Sequence, residues 1–290
     1  MEKILSLNKL NKSYKDFKLK DVSFSLPRGY IMGFIGKNGA GKTTTLNCIT
    51  GINNYDSGEI RVNNEIMRKD NSCQLKSVIG FVGEKSNFYE DMTVGWTGDF
   101  AGKFYGNWNS SQFDRYCERF SLNKKKKIKE LSKGMKTKLG LAIALSHKAE
   151  LLILDEPTSG LDPDARMDLL EIFQEIIMKE EASIIFSSHI TSDIRKIADF
   201  VTMIDDGRII LSDDKDSLLD NYNIVQIDEK YWSEELAGLF VKNKKIKNGY
   251  KGLCKDPEKI REEIIAKFPS AEIFVEKADL EEIFLQMIGG

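Results

Sequence analysis

The stretch YIMGFIGKNGAGKTTTLNCITG, residues 30–51, constrains the fold of this chain more tightly than any other part. Residues 30–36 are an almost continuous apolar run, as expected of a strand buried on both faces. GKNGAGKTT, Gly36 to Thr44, follows at once and fits G-x-x-x-x-G-K-[ST]. The helical TTTLNCITG closes the unit. Glycines let the backbone turn so tightly that successive N–H groups face one phosphate. The start of the next helix adds unpaired donors and a favourable dipole. Gly36, Asn38, Gly39, Ala40, Gly41, Lys42, Thr43 and Thr44 are therefore the candidate nucleotide contacts. Lys42 would hold the β- and γ-phosphates, and Thr43 would set its hydroxyl on Mg2+. A plain glycine-rich turn is the alternative, and Lys-Thr in a strand-to-helix context argues against it.

A second segment, LLILDEPTSGLD at 151–162, ends four apolar residues in two carboxylates. That suits a buried strand delivering acids to the carboxyl edge of a sheet, where phosphate ligands sit. Asp155 is placed to serve Mg2+ directly or through water, and Glu156 to act as general base for the attacking water. Two adjacent acids at a strand end are, taken alone, more often solvated loop charges. Their position 113 residues after Lys42, followed by PTSGLD, favours the chemical reading.

The rest of the chain supplies an α/β frame. VSFSLPRG (22–29) alternates apolar and polar residues, and YDSGEIRVNNE (55–65) reads as a turn into a short strand, so residues 1 to about 85 are strand-rich. From about 86 to 150 the pattern is helical, with Met135, Leu139, Ala142, Ile143 and Ser146 predicted to form one helix face. LLILD and SIIFSS read as buried parallel strands. The helix between them, 162–180, has Asp162 as N-cap and Pro163 in its first turn. Strand–helix–strand order with buried strands predicts a doubly wound parallel sheet. The character changes beyond 212, and residues 213–290 are expected to form a small α+β appendage.

The most charged stretch sets a different question. From Asn123 to Lys138 there are eight lysines in sixteen positions, which read alone suggests a polyanion or membrane surface. The whole 290-residue chain nevertheless carries a net charge of −2, which argues against nucleic-acid binding driven by bulk charge. The four cysteines are far apart, without a CxxC pair, and are expected to be reduced thiols of a cytosolic protein. No leader peptide is expected from MEKILSLNKL, and no apolar run approaches the ~18 residues of a membrane span.

In this order, GKNGAGKTT, LSKGM (131–135), LLILDEPTSGLD and FSSH (186–189) resemble the ATP-binding subunit of an ABC transporter, over roughly residues 4–212. FYEDMTV after residue 87 and the closing DLEEIF resemble the branch of stand-alone ATPases of bacterial exporters for peptides, antibiotics, lipids or ions. The resemblance implies a P-loop NTPase core with a parallel sheet, an N-terminal antiparallel β subdomain and a helical signature subdomain at about 86–150. It implies that Tyr14 stacks on adenine and that Ser132 and Gly134 contact the γ-phosphate of ATP on an opposite ATPase subunit, identical or paralogous. His189 would sense the γ-phosphate and orient water with Glu156, and Ser159 to Asp162 would link the two sites. Glu84, in GFVGEKS, stands where the family usually has glutamine, and is carried over as a Mg2+ contact through water. Lys133 and Met135 replace the commoner Gly and Gln.

The implied activity is ATP hydrolysis powering export through a separate membrane permease docked near residues 84–105, at the cytoplasmic face of the plasma membrane. SNFYEDMTVGWTGDFAGKFYGNW (86–108) is aromatic enough for that docking surface, or for an ordinary core. Nucleic-acid ATPases of the superfamily place a long coiled coil between the two nucleotide motifs, and the 113-residue spacing without sustained heptads argues against that class. A catalytically weak regulatory subunit of a heterodimer is the alternative function. On this reading Lys124 to Lys127 are a solvated approach to Ser132.

Overall fold

The computed structural model describes residues 1–68, 71–85, 87–180 and 182–288. Ser86, which opens the aromatic segment, and Gly289–Gly290, which close the C-terminal region, lie outside the described residues. Contacts divide the chain into a unit of Met1–Ser212 and a second beginning at Asp213.

The first unit opens with β1 (Lys3–Ser13), β2 (Lys18–Pro27), β3 (Ile31–Ile35), α1 (Lys42–Ile49), β4 (Ser57–Val62) and β5 (Glu65–Ile66). It continues through α2 (Ser72–Ser77), β6 (Ile79–Val82), α3 (Val94–Gly102), α4 (Ser110–Arg119) and α5 (Lys133–Ser146). β7 (Leu151–Leu154), α6 (Pro163–Glu180), β8 (Ser183–Ser188), α7 (Thr191–Ile197), β9 (Phe200–Asp205) and β10 (Arg208–Asp214) follow.

Two sheets result. One runs β2-β1-β4-β5, antiparallel throughout, and the other β10-β9-β3-β8-β7-β6, with β6, β7, β8, β3 and β9 parallel. β7 and β8 are buried at every position, which explains their unbroken apolar sequences. In β2, Val22, Phe24 and Leu26 are buried while Ser23 is exposed, the alternation of a strand with one wet face. Met32 and Phe34 of β3, Ile153 of β7 and Ile185 of β8 pack with Leu46 and Ile49 of α1 and with Leu5, Leu7 and Val22 of the antiparallel sheet. The main core thus lies between the two sheets and holds α1 against them.

On the opposite side of β3, α7 approaches so closely that a Cβ at Gly33 would lie 2.3 Å from Ile194 Cγ2. β9 and β10 are joined by the two-residue turn Asp206–Gly207, both at positive φ, as a tight hairpin requires. The Gly207 N–H donates to the Ala40 carbonyl at 3.0 Å, and its own carbonyl accepts from the Lys20 N–H at 2.8 Å. Asp162 caps α6, its Oδ1 accepting from the Ala165 N–H at 2.9 Å, with Pro163 first in the helix.

The expected single face of α5 is corrected. Met135 and Ile143 are only half-buried, while Gly134, Thr137, Gly140, Leu141, Ala144 and Leu145 are buried. The helix is packed by α3, α4, β6 and α6 rather than by one surface, so most of its circumference is covered. The strand-rich N-terminal region also contains the short helix α2.

The second unit is α+β. Beyond α8 (Lys215–Asn221), β11 (Asn223–Asp228), α9 (Glu234–Ala237), β12 (Lys242–Ile246), β13 (Gly249–Cys254), α10 (Pro257–Lys267), β14 (Ile273–Lys277) and α11 (Leu280–Ile288) follow. Its antiparallel sheet has the order β12-β13-β11-β14, and Val225, Ile227, Phe240, Ile260 and Ile264 form its core. No described helix of the chain is long and apolar enough to cross a membrane.

Gly33→Val should be an overpacking change, because neither β3 nor α7 has room to retreat. We expect a loss of about 1–3 kcal/mol, read as a lower thermal melting temperature and urea midpoint than the parent protein.

Candidate functional site

Strand register assembles the site. Ile35 of β3 pairs with Ser188 of β8, and Phe186 of β8 pairs with Leu154 of β7, which in turn pairs with Val82 of β6. The residues that follow these strand ends, Gly36, His189, Asp155 and Gly83, therefore leave the sheet along one carboxyl edge.

The loop after β3 needs its glycines. Gly39 and Gly41 have φ of +83° and +115°, and a Cβ on Gly36 would fall 2.6 Å from the Ile204 carbonyl oxygen. Gly41 offers no side-chain cap to α1, so among the described residues the first-turn amides have no N-cap side chain to donate to. Lys42 Nζ donates to the Gly36 carbonyl at 2.7 Å and lies 3.3 Å from Glu156 Oε1, with both side chains largely buried.

Glu156 is held in three ways. Its backbone is in the left-handed region at φ +48°. Its N–H donates to Ser187 Oγ at 2.8 Å, and His189 Nδ1 lies 2.8 Å from its Oε2. An ionised carboxylate only accepts, so this contact puts the imidazole proton on Nδ1 and turns Nε2 away from Glu156. Glu156 Oε1 is buried without a hydrogen bond, because Lys42 stands at ion-pair distance but is aligned on the loop carbonyls. A buried carboxylate oxygen left without a hydrogen bond can accept a proton from a bound water.

These groups border a cleft of about 720 Å3. Tyr14, Asn38, Gly39, Gly41, Lys42, Thr43, Thr44, Glu84, Glu156 and His189 all line it, with Ser159. Gly36 and Ala40 are buried behind the loop, and Asp155 is buried beneath the lining, its Oδ1 accepting from Ser187 Oγ at 2.6 Å. Ser132 and Gly134 are absent from this lining. Ser132 caps α5, accepting from the Met135 N–H at 3.3 Å, and its side is exposed. Glu84 also borders a second recess of about 460 Å3 that reaches Lys133, Lys136 and Gly140 of α5.

The donor set fits a nucleotide with Mg2+. The loop offers amides and an ammonium to phosphates, and Thr43 and Glu84 offer oxygens at the lining. Among the described residues no three His, Cys, Asp or Glu side chains converge as an all-protein metal cage. Mg2+ does not need one, since it is typically held by one or two protein oxygens together with phosphates and water.

Several members were not legible in sequence. Phe17 lines the cleft near Tyr14, and the Tyr14 hydroxyl accepts from Asn53 Nδ2 at 2.9 Å. Ser187 and the buried Asp193 carry the hidden polar contacts. Asp193 accepts from Thr158 Oγ1 at 2.8 Å and Arg166 Nε at 2.6 Å, tying the PTSGLD loop and α6 to the helix that follows His189. The only available signal was a polar side chain inside an otherwise apolar buried segment. The other histidine, His147, is buried against the Tyr105 ring, and burial holds its pKa below the ordinary value.

The expected docking segment is mixed. Tyr89, Trp96 and Phe104 are 61%, 39% and 71% exposed and are linked through Phe100 by ring contacts of 4.9 to 6.0 Å. Phe113, beyond the segment, is buried. Half of the lysine-rich stretch is compensated: Lys124, Lys129, Lys136 and Lys138 pair with Asp114, Asp91, Glu90 and Asp168.

Residues 19–159 match the family model described as ABC transporter. The chain is 34% identical over 213 residues to the linearmycin resistance ATP-binding protein LnrL of Bacillus subtilis (strain 168), covering 71% of this chain and 68% of that protein. It is 35% identical over 213 residues to the bacitracin transport ATP-binding protein BcrA of Bacillus licheniformis, covering 72% and 69%. Among solved structures, the ATP binding subunit of an ABC transporter superposes with a TM-score of 0.67 at 29% identity, covering 74% of this chain and 91% of that one.

The Lys42–Glu156 pair makes a prediction for the nucleotide-free protein. Lys42→Met should strand a buried carboxylate and cost on the order of 1–3 kcal/mol. Adding Glu156→Gln should return much of it, and thermal melts of both variants without nucleotide check the sign.

Proposed function

The chain belongs to the ABC transporter family as an ATP-binding, ATP-hydrolysing subunit, and we propose that it closes on a second ATPase subunit around ATP to drive export through a separate membrane permease. The observation that carries this reading is Glu156, with one oxygen on His189 Nδ1 and the other, lacking a hydrogen bond, at ion-pair distance from Lys42 at the edge of the cleft.

On this reading each residue of the site has a role. The loop from Gly36 to Thr44 and Lys42 bind the triphosphate, and Tyr14 stacks on the base. Glu156 Oε1 takes the proton of the attacking water while His189 Nδ1–H fixes the other oxygen. His189 Nε2 is left to meet the γ-phosphate. Mg2+ when bound would neutralise the charge that develops on the phosphates. Thr43, Asp155 and Glu84 would hold it, Asp155 and Glu84 through water. Glu84 adds a negative charge beside the phosphates that glutamine would not.

Two subunits are required because Ser132 and Gly134 do not face this chain's own cleft. The exposed start of α5, at Ser132 and Lys133, suits a triphosphate held by a second copy or a paralogue. Residues 1–212 form the ATPase domain on this reading, with 213–290 as an accessory region. The exposed Tyr89–Trp96–Phe104 ladder suits the permease, which would hold the protein at the cytoplasmic face of the membrane. The names of LnrL, a linearmycin resistance protein, and BcrA, a bacitracin transport protein, support an antibiotic as cargo. A weak regulatory subunit is the second reading, and the Glu156–His189 contact disfavours it.

Glu156→Gln should reduce ATP turnover by at least about a hundredfold while ATP still drives dimerisation in size-exclusion chromatography. Undiminished turnover would sink the assignment. Reversing the charges of Lys124 to Lys127 should leave turnover nearly intact, whereas Ser132→Arg should abolish it. The opposite pattern would restore the lysines as the functional feature.

A further inference from the structure

We propose that Ser187 is the positioning residue that orients both acids of the site, Asp155 toward the metal and Glu156 toward the water. The inference rests on the roles given to Asp155 and Glu156 above.

Ser187 is fully buried, one residue before the end of β8, directly after the apolar run Ile184, Ile185 and Phe186. Its hydroxyl has two partners, the Glu156 N–H at 2.8 Å and Asp155 Oδ1 at 2.6 Å. An amide N–H can only donate, so the hydroxyl oxygen accepts there, and its single proton is then committed to Asp155. The bridge therefore has a fixed direction. Asp155 Oδ1 is occupied, and Oδ2 is left without a hydrogen bond among the described residues, available to a metal's hydration shell.

The same bridge acts on Glu156. A non-glycine residue at φ +48° is disfavoured, and its neighbours must hold it there. Pinning its N–H to β8 fixes the turn that sends Oε2 to His189 and leaves Oε1 beside Lys42. The adjacent Ser188 does nothing comparable, since its hydroxyl accepts from the Ile190 N–H of its own loop. Two neighbouring serines thus differ completely: one serves its own loop, and the other ties two strands' catalytic ends together.

The test is Ser187→Ala with Ser187→Thr, which keeps the hydroxyl, and Glu156→Gln run in parallel. Ser187→Ala should lower kcat and raise the Mg2+ concentration for half-maximal turnover by about 10- to 100-fold, as loss of a partner behind a metal ligand does. Its affinity for a fluorescent ATP analogue in EDTA should stay within about twofold, because the loop amides and Lys42 are untouched. The extra thermal shift that Mg2+ adds to ATP should shrink in Ser187→Ala and return in Ser187→Thr. If Ser187→Ala does not accumulate, Ser187→Cys, a weaker donor, carries the same expectation. An unchanged Mg2+ dependence in the alanine variant, or an equal loss in alanine and threonine variants that melt normally, overturns the proposal. If Glu156→Gln hydrolyses ATP normally, the catalytic reading itself fails. If it is inactive while Ser187→Ala is normal, only the role of Ser187 fails.

Discussion

The parallel pairing of β3, β8 and β7 is the constraint on which the site depends. Hydrogen-bonded register sets Ile35 level with Ser188, and Phe186 level with Leu154. The phosphate loop, the histidine and the two acids are 113 and 34 residues apart in sequence, from Lys42 to Asp155 and from Asp155 to His189. They meet because each directly follows one of three aligned strands. A one-residue slip of β8 would move every buried side chain to the opposite face and take Ser187 and His189 out of reach of Glu156. The apolar runs that bury these strands on both faces are thus as much part of the chemistry as the polar residues at their ends.

Once the strands are aligned, electrostatics shape the cleft. Lys42 and Glu156 are opposite charges removed from water, and each is costly unless paired. The pairing is incomplete: Lys42 is aligned on backbone carbonyls, and one Glu156 oxygen has no hydrogen bond. Such an arrangement is stable enough to preorganise both groups and leaves each able to exchange its neighbour for a ligand. The lysines between 124 and 138 work in a different dielectric. The four that pair do so with exposed surface acids, so the charge that dominates the sequence contributes little to the site.

Sequence placed the loop glycines, Lys42, Asp155 and Glu156 just after apolar strands, and His189 through the resemblance, and the strand register brings these positions to one sheet edge. The α/β class followed from those same strands. What stayed hidden was every contact made across the fold by a residue with no pattern of its own. Ser187 looks like any strand serine until Asp155, 32 residues earlier, is brought beneath it. Asp193 looks like a helix-start acid until Thr158 and Arg166 converge on it. The α5 face was misread for a related reason: a periodicity reports burial against one surface, and four elements cover this helix. Aromatic content in 86–108 likewise could not separate Phe104, exposed, from the half-buried Phe100.

The Asp206–Gly207 turn has a mechanical consequence. Its glycine is hydrogen-bonded on one side to the phosphate loop through Ala40 and on the other to the antiparallel sheet through Lys20. A Cβ there would lie 1.9 Å from the Lys18 carbonyl oxygen, so the turn sits flush against that strand. It is a rivet through three layers. A tilt of the antiparallel sheet against the parallel one must either shear these two bonds or drag the loop's backbone with it, so the loop's shape carries a record of the angle between the sheets.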